Sequence, residues 1–138
     1  MLPAMNKPTV LVAGTAPAIQ KVSALLGAEV ATIPAHSLNE ALHQLETHPD
    51  VILCNVRFDE SRMLDFLQAA KAQPGSRETP FVCFRLAPLP APWRQCLEAA
   101  VLAVGATAFI DLSALERDLG REAAERALRE AVLSHVPH

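Results

Sequence analysis

Apolar residues follow two alternating rhythms along this chain. Short continuous runs rich in β-branched residues are separated by longer stretches in which apolar side chains return every three or four positions. Thr9-Val10-Leu11-Val12-Ala13, bounded by Pro8 and Gly14, reads as a buried parallel strand. Val30-Ala31-Thr32-Ile33, closed by Pro34, reads as a second. Val51-Ile52-Leu53-Cys54-Asn55-Val56 is a third, in which an apolar run meets one polar residue near its end. Phe81-Val82-Cys83-Phe84 is a fourth and Ala106-Thr107-Ala108-Phe109-Ile110 a fifth.

Helical spacing fills the intervals. Thr15 is placed to cap a first helix with Pro17 in its opening turn; Ile19, Val22, Leu25 and Leu26 form its stripe, and Gly27 ends it. Ser37 with Glu40 makes a capping box for a second helix, whose inner stripe is Leu38, Ala41, Leu42 and Leu45. Ser61 to Ala72 reads as a third, packed through Met63, Phe66, Leu67 and Ala70, and Gln73-Pro74-Gly75-Ser76 breaks it. Arg85 to Pro92 carries three prolines and is expected to be an extended loop. Trp93, Cys96, Leu97, Ala100, Val101 and Val104 then form one stripe on a fourth helix, stopped by Gly105, and Trp93 is expected to pack on the sheet. Ala99, Leu102 and Ala103 lie off that stripe, so the helix is apolar on more than one side, and Trp93, Ala99, Leu102 and Ala103 are a candidate interaction face. Ser113 with Glu116 predicts another capping box for a short turn that Gly120 interrupts. Arg121 to His135 reads as a charged helix with Glu122–Arg126 and Glu125–Arg129 pairs.

Strand then helix, five times over, predicts an α/β fold: one domain over residues 1–138, its core about 8–135, with a five-stranded parallel sheet and helices on both faces. Sequence order does not fix strand order; the flavodoxin-like order 2-1-3-4-5 is the common solution at this length. Composition fits a single buried core, with 51 % hydrophobic residues and only 4 % aromatic. Net charge is −3 and no Lys/Arg run exists, so nucleic-acid binding is not expected. No apolar stretch is long enough for a transmembrane helix, and Met1 to Lys7 lacks the apolar core of a signal peptide, so cytoplasm is the default expectation. Cys54, Cys83 and Cys96 lack metal-site spacing and read as free buried thiols. No metal or cofactor is expected.

The third strand also carries a resemblance. Pro49-Asp50-Val51-Ile52-Leu53 followed by Asn55 resembles the approach to the phosphoacceptor of the response-regulator receiver (CheY-like) domain family. Thr79-Pro80-Phe81-Val82 is similar to the start of that family's fourth strand, and Gly105-Ala106-Thr107-Ala108-Phe109-Ile110 to its turn into strand five, with Phe109 in the position of the switch aromatic. The resemblance covers roughly residues 8 to 135, and the residues that carry the family's chemistry all depart from it. The phosphoacceptor aspartate is Asn55. The magnesium-binding acidic pair is Ala13 and Gly14. The hydroxyl residue ending strand four is Arg85, and the lysine after strand five falls at Leu112 or Asp111. An amide oxygen is a poor nucleophile, and phosphoryl transfer needs positive charge set against developing negative charge.

The resemblance therefore implies a stand-alone, non-catalytic pseudo-receiver in bacterial two-component signalling. Its expected partner is a protein, such as a histidine kinase or another signalling protein, with a homodimer as the other possibility. A small domain binding an anion or nucleotide at the strand ends through Arg85 is the alternative. A receiver phosphorylated on a displaced carboxylate such as Asp59 ranks last, because no acidic pair remains to bring a metal. Asp59 and Glu60 as a metal site, and Asp59, Glu60 or Asp111 as partners of Arg85, are weaker readings; a solvated Arg85 is the plainer one.

Overall fold

The computed structural model describes residues 7–88 and 90–136, so the reading of the first residues lies outside it apart from Lys7. All five strands form in the expected places: β1 (Thr9–Ala13), β2 (Ala31–Ala35), β3 (Val51–Asn55), β4 (Phe81–Arg85) and β5 (Ala108–Asp111). They pair in parallel in the order β2-β1-β3-β4-β5. The helices are α1 (Ala16–Leu26), α2 (Leu38–Gln44), α3 (Met63–Ala72), α4 (Ala91–Val104), α5 (Leu112–Leu119) and α6 (Arg121–Leu133).

Period-two alternation along the strands divides the interior into two cores. Val10, Val12, Leu53, Val82 and Phe84 point to one face, where Ile19, Val22 and Leu26 of α1 and Ala124, Leu128 and Val132 of α6 cover them. Leu11, Ile52, Cys54, Phe81 and Cys83 point to the other, under Ala41 of α2, Phe66, Leu67 and Ala70 of α3, and Val101 of α4. Phe58, Phe66 and Phe81 form an aromatic chain there, with ring centroids 5.7 Å and 5.3 Å apart. The three central strands are covered on both sides, which is why their sequences are almost unbroken apolar runs.

Several local expectations are corrected. Pro34 does not close β2 but lies within it, which an edge strand tolerates. The Ser37 hydroxyl accepts from the Glu40 N–H as a cap should, but the Glu40 carboxylate accepts from the His36 N–H, one residue earlier than a capping box requires. No Ser113 cap forms. Asp111, the last residue of β5, accepts from the Ala114 N–H at 3.1 Å and starts α5 directly off the strand. In α6, Glu125 pairs with Arg121 at 3.3 Å instead of Arg129, while Arg129 crosses to Glu29.

The largest correction concerns α4. Val101 is fully buried and Leu97 and Val104 partly so, but Cys96 and Ala100 face outward and Trp93 is 68 % exposed. Helix α4 rests against α3 and the edge strand β5, a narrow bed that covers only one side of it. A helix apolar on more than one side does not encode its own rotation, so the six-residue stripe could not show which part meets the sheet.

Candidate functional site

The carboxyl ends of β1, β3 and β4 meet where strand order turns from β1 outward in both directions, the position at which open α/β sheets bind ligands. A cleft of about 160 Å³ opens there, lined by Thr15, Pro17 and Ala18 from the start of α1, Asn55, Val56 and Arg57 after β3, and Arg85, Leu86 and Ala87 after β4. Its lining contains no carboxylate.

Asn55 ends β3 and is 5 % exposed. Its side-chain Oδ1 accepts the Arg57 N–H at 2.9 Å, closing a tight turn into the next loop. Gly14 sits directly against it. A Cβ at position 14 would lie 3.1 Å from the Asn55 Cβ and 3.5 Å from that of Ala18, so a larger residue there would press on Asn55. Ala13 is fully buried in the second core. The loop after Asn55 is wound unusually tightly: Asp59, Glu60 and Ser61 have φ of 43°, 56° and 70°, three successive left-handed residues. Asp59 has a structural task, accepting the Leu38 N–H at the start of α2 at 2.7 Å. Among the described residues, no group of three or more His, Cys, Asp or Glu is gathered as a metal site would require.

Arg85 is not solvated. It ends β4 at 6 % exposure, with Nε donating to the Ala87 carbonyl and Nη2 to the Pro88 carbonyl at 2.9 Å. Burial lowers its pKa from the usual guanidinium value; Asp111, its neighbour in register on β5, opposes the shift, and Arg57 adds to it. Neither Asp59, Glu60 nor Asp111 forms an ion pair with it among the described residues. Leu112 is 1 % exposed inside the first core, and Asp111 is occupied in capping α5, so no cation stands at either candidate position for the lysine. Phe109 is half-buried against the second core.

Trp93, Ala99, Leu102 and Ala103 are all exposed on α4 and take no part in the cleft. A second groove, about 380 Å³, runs between α4 and α5 over β5, lined by Arg94, Glu98, Phe109, Ile110, Asp111, Ala114, Leu115 and Asp118. Sequence reasoning missed this groove, and it gave Arg57 no role. The signal for Arg57 was its place two residues after a polar strand end.

No family model and no curated protein sequence matches the chain. Solved structures do match it over nearly its whole length. The phosphorylated cyanobacterial phytochrome response regulator RcpA superposes with a TM-score of 0.70 at 16 % identity, over 96 % of this chain and 99 % of that one. The fold is that of receiver domains. The chemotaxis response regulator CheY4 of Vibrio cholerae gives 0.64 at 21 % identity, over 91 % and 98 % of the two chains. A response regulator from Hahella chejuensis gives 0.67 at 18 % identity, over 92 % and 96 %. Within this receiver fold, Asn55 occupies the end of β3, with Gly14, Arg85 and Asp111 on the flanking strand ends.

Proposed function

We propose that this chain is a pseudo-receiver: a signalling module of the two-component type that works by binding a protein partner and carries no phosphoryl group on its third strand. The observation that supports this best is the cleft lining, in which an amide stands among cations and apolar groups. Phosphoryl transfer from a small donor requires a carboxylate nucleophile and a metal to neutralise charge. Neither can be assembled from Ala13, Gly14, Asn55, Arg85 and Leu112. Asp59, the first acid after β3, already serves α2.

The partner-binding surface in this reading is the outward side of α4, where Trp93 and Leu102 are 68 % and 44 % exposed beside Ala99 and Ala103. Exposed aromatic and aliphatic groups on one helix suit a protein surface better than bulk water. A homodimer through the same surface is the other occupant, and sedimentation separates the two.

Incubation with acetyl phosphate and Mg²⁺ tests the reading. Intact mass is expected to stay unchanged, and the amide resonances of residues 13–15 and 55–57 to be indifferent to Mg²⁺ in the millimolar range. One added phosphoryl group, lost in hydroxylamine, would sink the pseudo-receiver reading.

A further inference from the structure

Arg85 is a buried cation whose charge is offset only through space, by Asp111. It is 94 % buried and forms no ion pair among the described residues. Its donors reach only the neutral carbonyls of Ala87 and Pro88. Asp111, alongside on β5, spends its Oδ1 on the Ala114 N–H. Buried charges are ordinarily paired, because an isolated one loses its hydration without recovering it elsewhere.

Asn55 adds a second, independent sign. The Arg57 N–H must have an acceptor, which fixes Oδ1 on that side and turns Nδ2 the other way. Nδ2 has no acceptor among the described residues. Among the described residues no fully buried side-chain nitrogen or oxygen lacks a partner, so Nδ2 reaches open volume, and Asn55 lines the cleft. The exposed Arg57 supplies another guanidinium at the rim, and the positive end of α1 faces in from Thr15 to Ala18. The rest of the wall is apolar: Pro17, Ala18, Val56, Leu86 and Ala87.

We propose that this cleft binds a small oxyanion reversibly, a phosphate group that is either free or the head of a small metabolite. The anion would take the Nδ2 hydrogen bond and neutralise Arg85, with Arg57 closing over it. Charge-assisted bonds to guanidinium are the strong ones. The volume of about 160 Å³ admits a phosphate and a few further atoms, well short of the roughly 300 Å³ at which drug-sized ligands begin, so the cleft is sized for the phosphate end of a ligand. The inference deepens the pseudo-receiver reading, since it assigns the unreactive strand-end site an input of its own. The two fail separately: covalent phosphorylation would show in the intact mass, whereas reversible binding leaves mass unchanged.

The test is a titration of the ¹⁵N-labelled protein with inorganic phosphate, with glycerol 3-phosphate, and with acetate and chloride at matched ionic strength. Saturable shifts confined to the amides of residues 14–18, 55–57 and 85–87 are expected with the phosphates and not with chloride. A response to inorganic phosphate alone assigns the free ion; tighter binding of the ester assigns a metabolite head group. Asn55→Asp keeps the acceptor for the Arg57 N–H, removes the Nδ2 donor and adds a negative charge. Arg57→Glu reverses a charge on an exposed side chain whose loss leaves the core untouched. Each is expected to weaken phosphate binding by about tenfold or more. Shifts equal to those in chloride, shifts scattered over the surface, or binding that survives both substitutions would overturn the proposal.

Discussion

Asparagine and aspartate differ by one atom and one charge, and at position 55 that difference does not stand alone. Asn55→Asp is expected to fold normally, because the Arg57 N–H keeps its acceptor, yet intact mass after acetyl phosphate treatment should remain unchanged. No acid stands at Ala13 or Gly14, and a side chain at position 14 would need Asn55 to give way slightly, its Cβ lying 3.1 Å from the new Cβ. The cysteines are sorted by burial in the same way. Cys54 and Cys83 are neighbours in register on β3 and β4; burial pushes the Cys83 thiol up to about 12, and burial together with Cys83 pushes Cys54 well above the ordinary value. Cys96 is exposed. An aromatic disulfide reagent is expected to label Cys96 alone in the native protein and all three thiols in denaturant. A thiol pKa raised by folding means that the folded state holds its proton more tightly than the unfolded one. Stability is therefore unaffected below the unfolded value, 9.0, and falls as pH climbs from there towards about 12. Denaturation midpoints across that range should decline by up to ~1.4 kcal/mol per pH unit for each thiol, and Cys83→Ala should flatten the decline.

At the scale of elements, α4 is the one whose sequence misled. Its apolar residues spread over more than one side, so spacing located the helix and its end at Gly105 but not its orientation; only the bed offered by α3 and β5 decides that Val101 faces in and Trp93 out. With Leu102 44 % exposed, Leu102→Glu is expected to shift folding stability by no more than ~0.5 kcal/mol, while sedimentation or partner capture should show weakened association. A large loss of stability would mean that the helix sits differently. The start of α5 was hidden for another reason. Ser113 and Glu116 have the right spacing for a cap, but β5 must continue to Asp111 to pair with Arg85, and the next residue, Leu112, is drawn into the core. Tertiary demand moved the cap two residues earlier. Asp59 shows the same limit: its bond to the Leu38 N–H joins loops 21 residues apart, which no local pattern encodes.

The molecule as a whole was the most legible level. Five apolar runs separated by helical spacing leave few arrangements once crossovers are right-handed. The site was half legible: the strand ends named Asn55, Gly14 and Arg85, whereas the burial of Arg85 depends on its own loop folding back through Ala87 and Pro88. The two cores share one sheet, so damage on either side should reach the whole. Phe66 bridges Phe58 and Phe81 at full burial, and Phe66→Ala is expected to cost about 3–5 kcal/mol. A single denaturant transition, shifted by that amount with its slope unchanged, would show both cores melting together. Two separate transitions would count against that.

An open sheet has two borders, and here they are unlike. Along β2 the odd-numbered residues turn their backbone towards β1: the Ala31 N–H bonds the Pro8 carbonyl, and the Ala35 carbonyl takes the Gly14 N–H. The even-numbered residues, Thr32 and Pro34, therefore turn theirs to the outside. Proline has no N–H, so its place in the strand subtracts nothing from the ladder inside and removes a donor from the border outside. A foreign strand arriving at β2 finds an incomplete template, which disfavours edge-to-edge pairing on that side. The exposed apolar groups of α4 lie beside β5, at the far end of the sheet from this interrupted border.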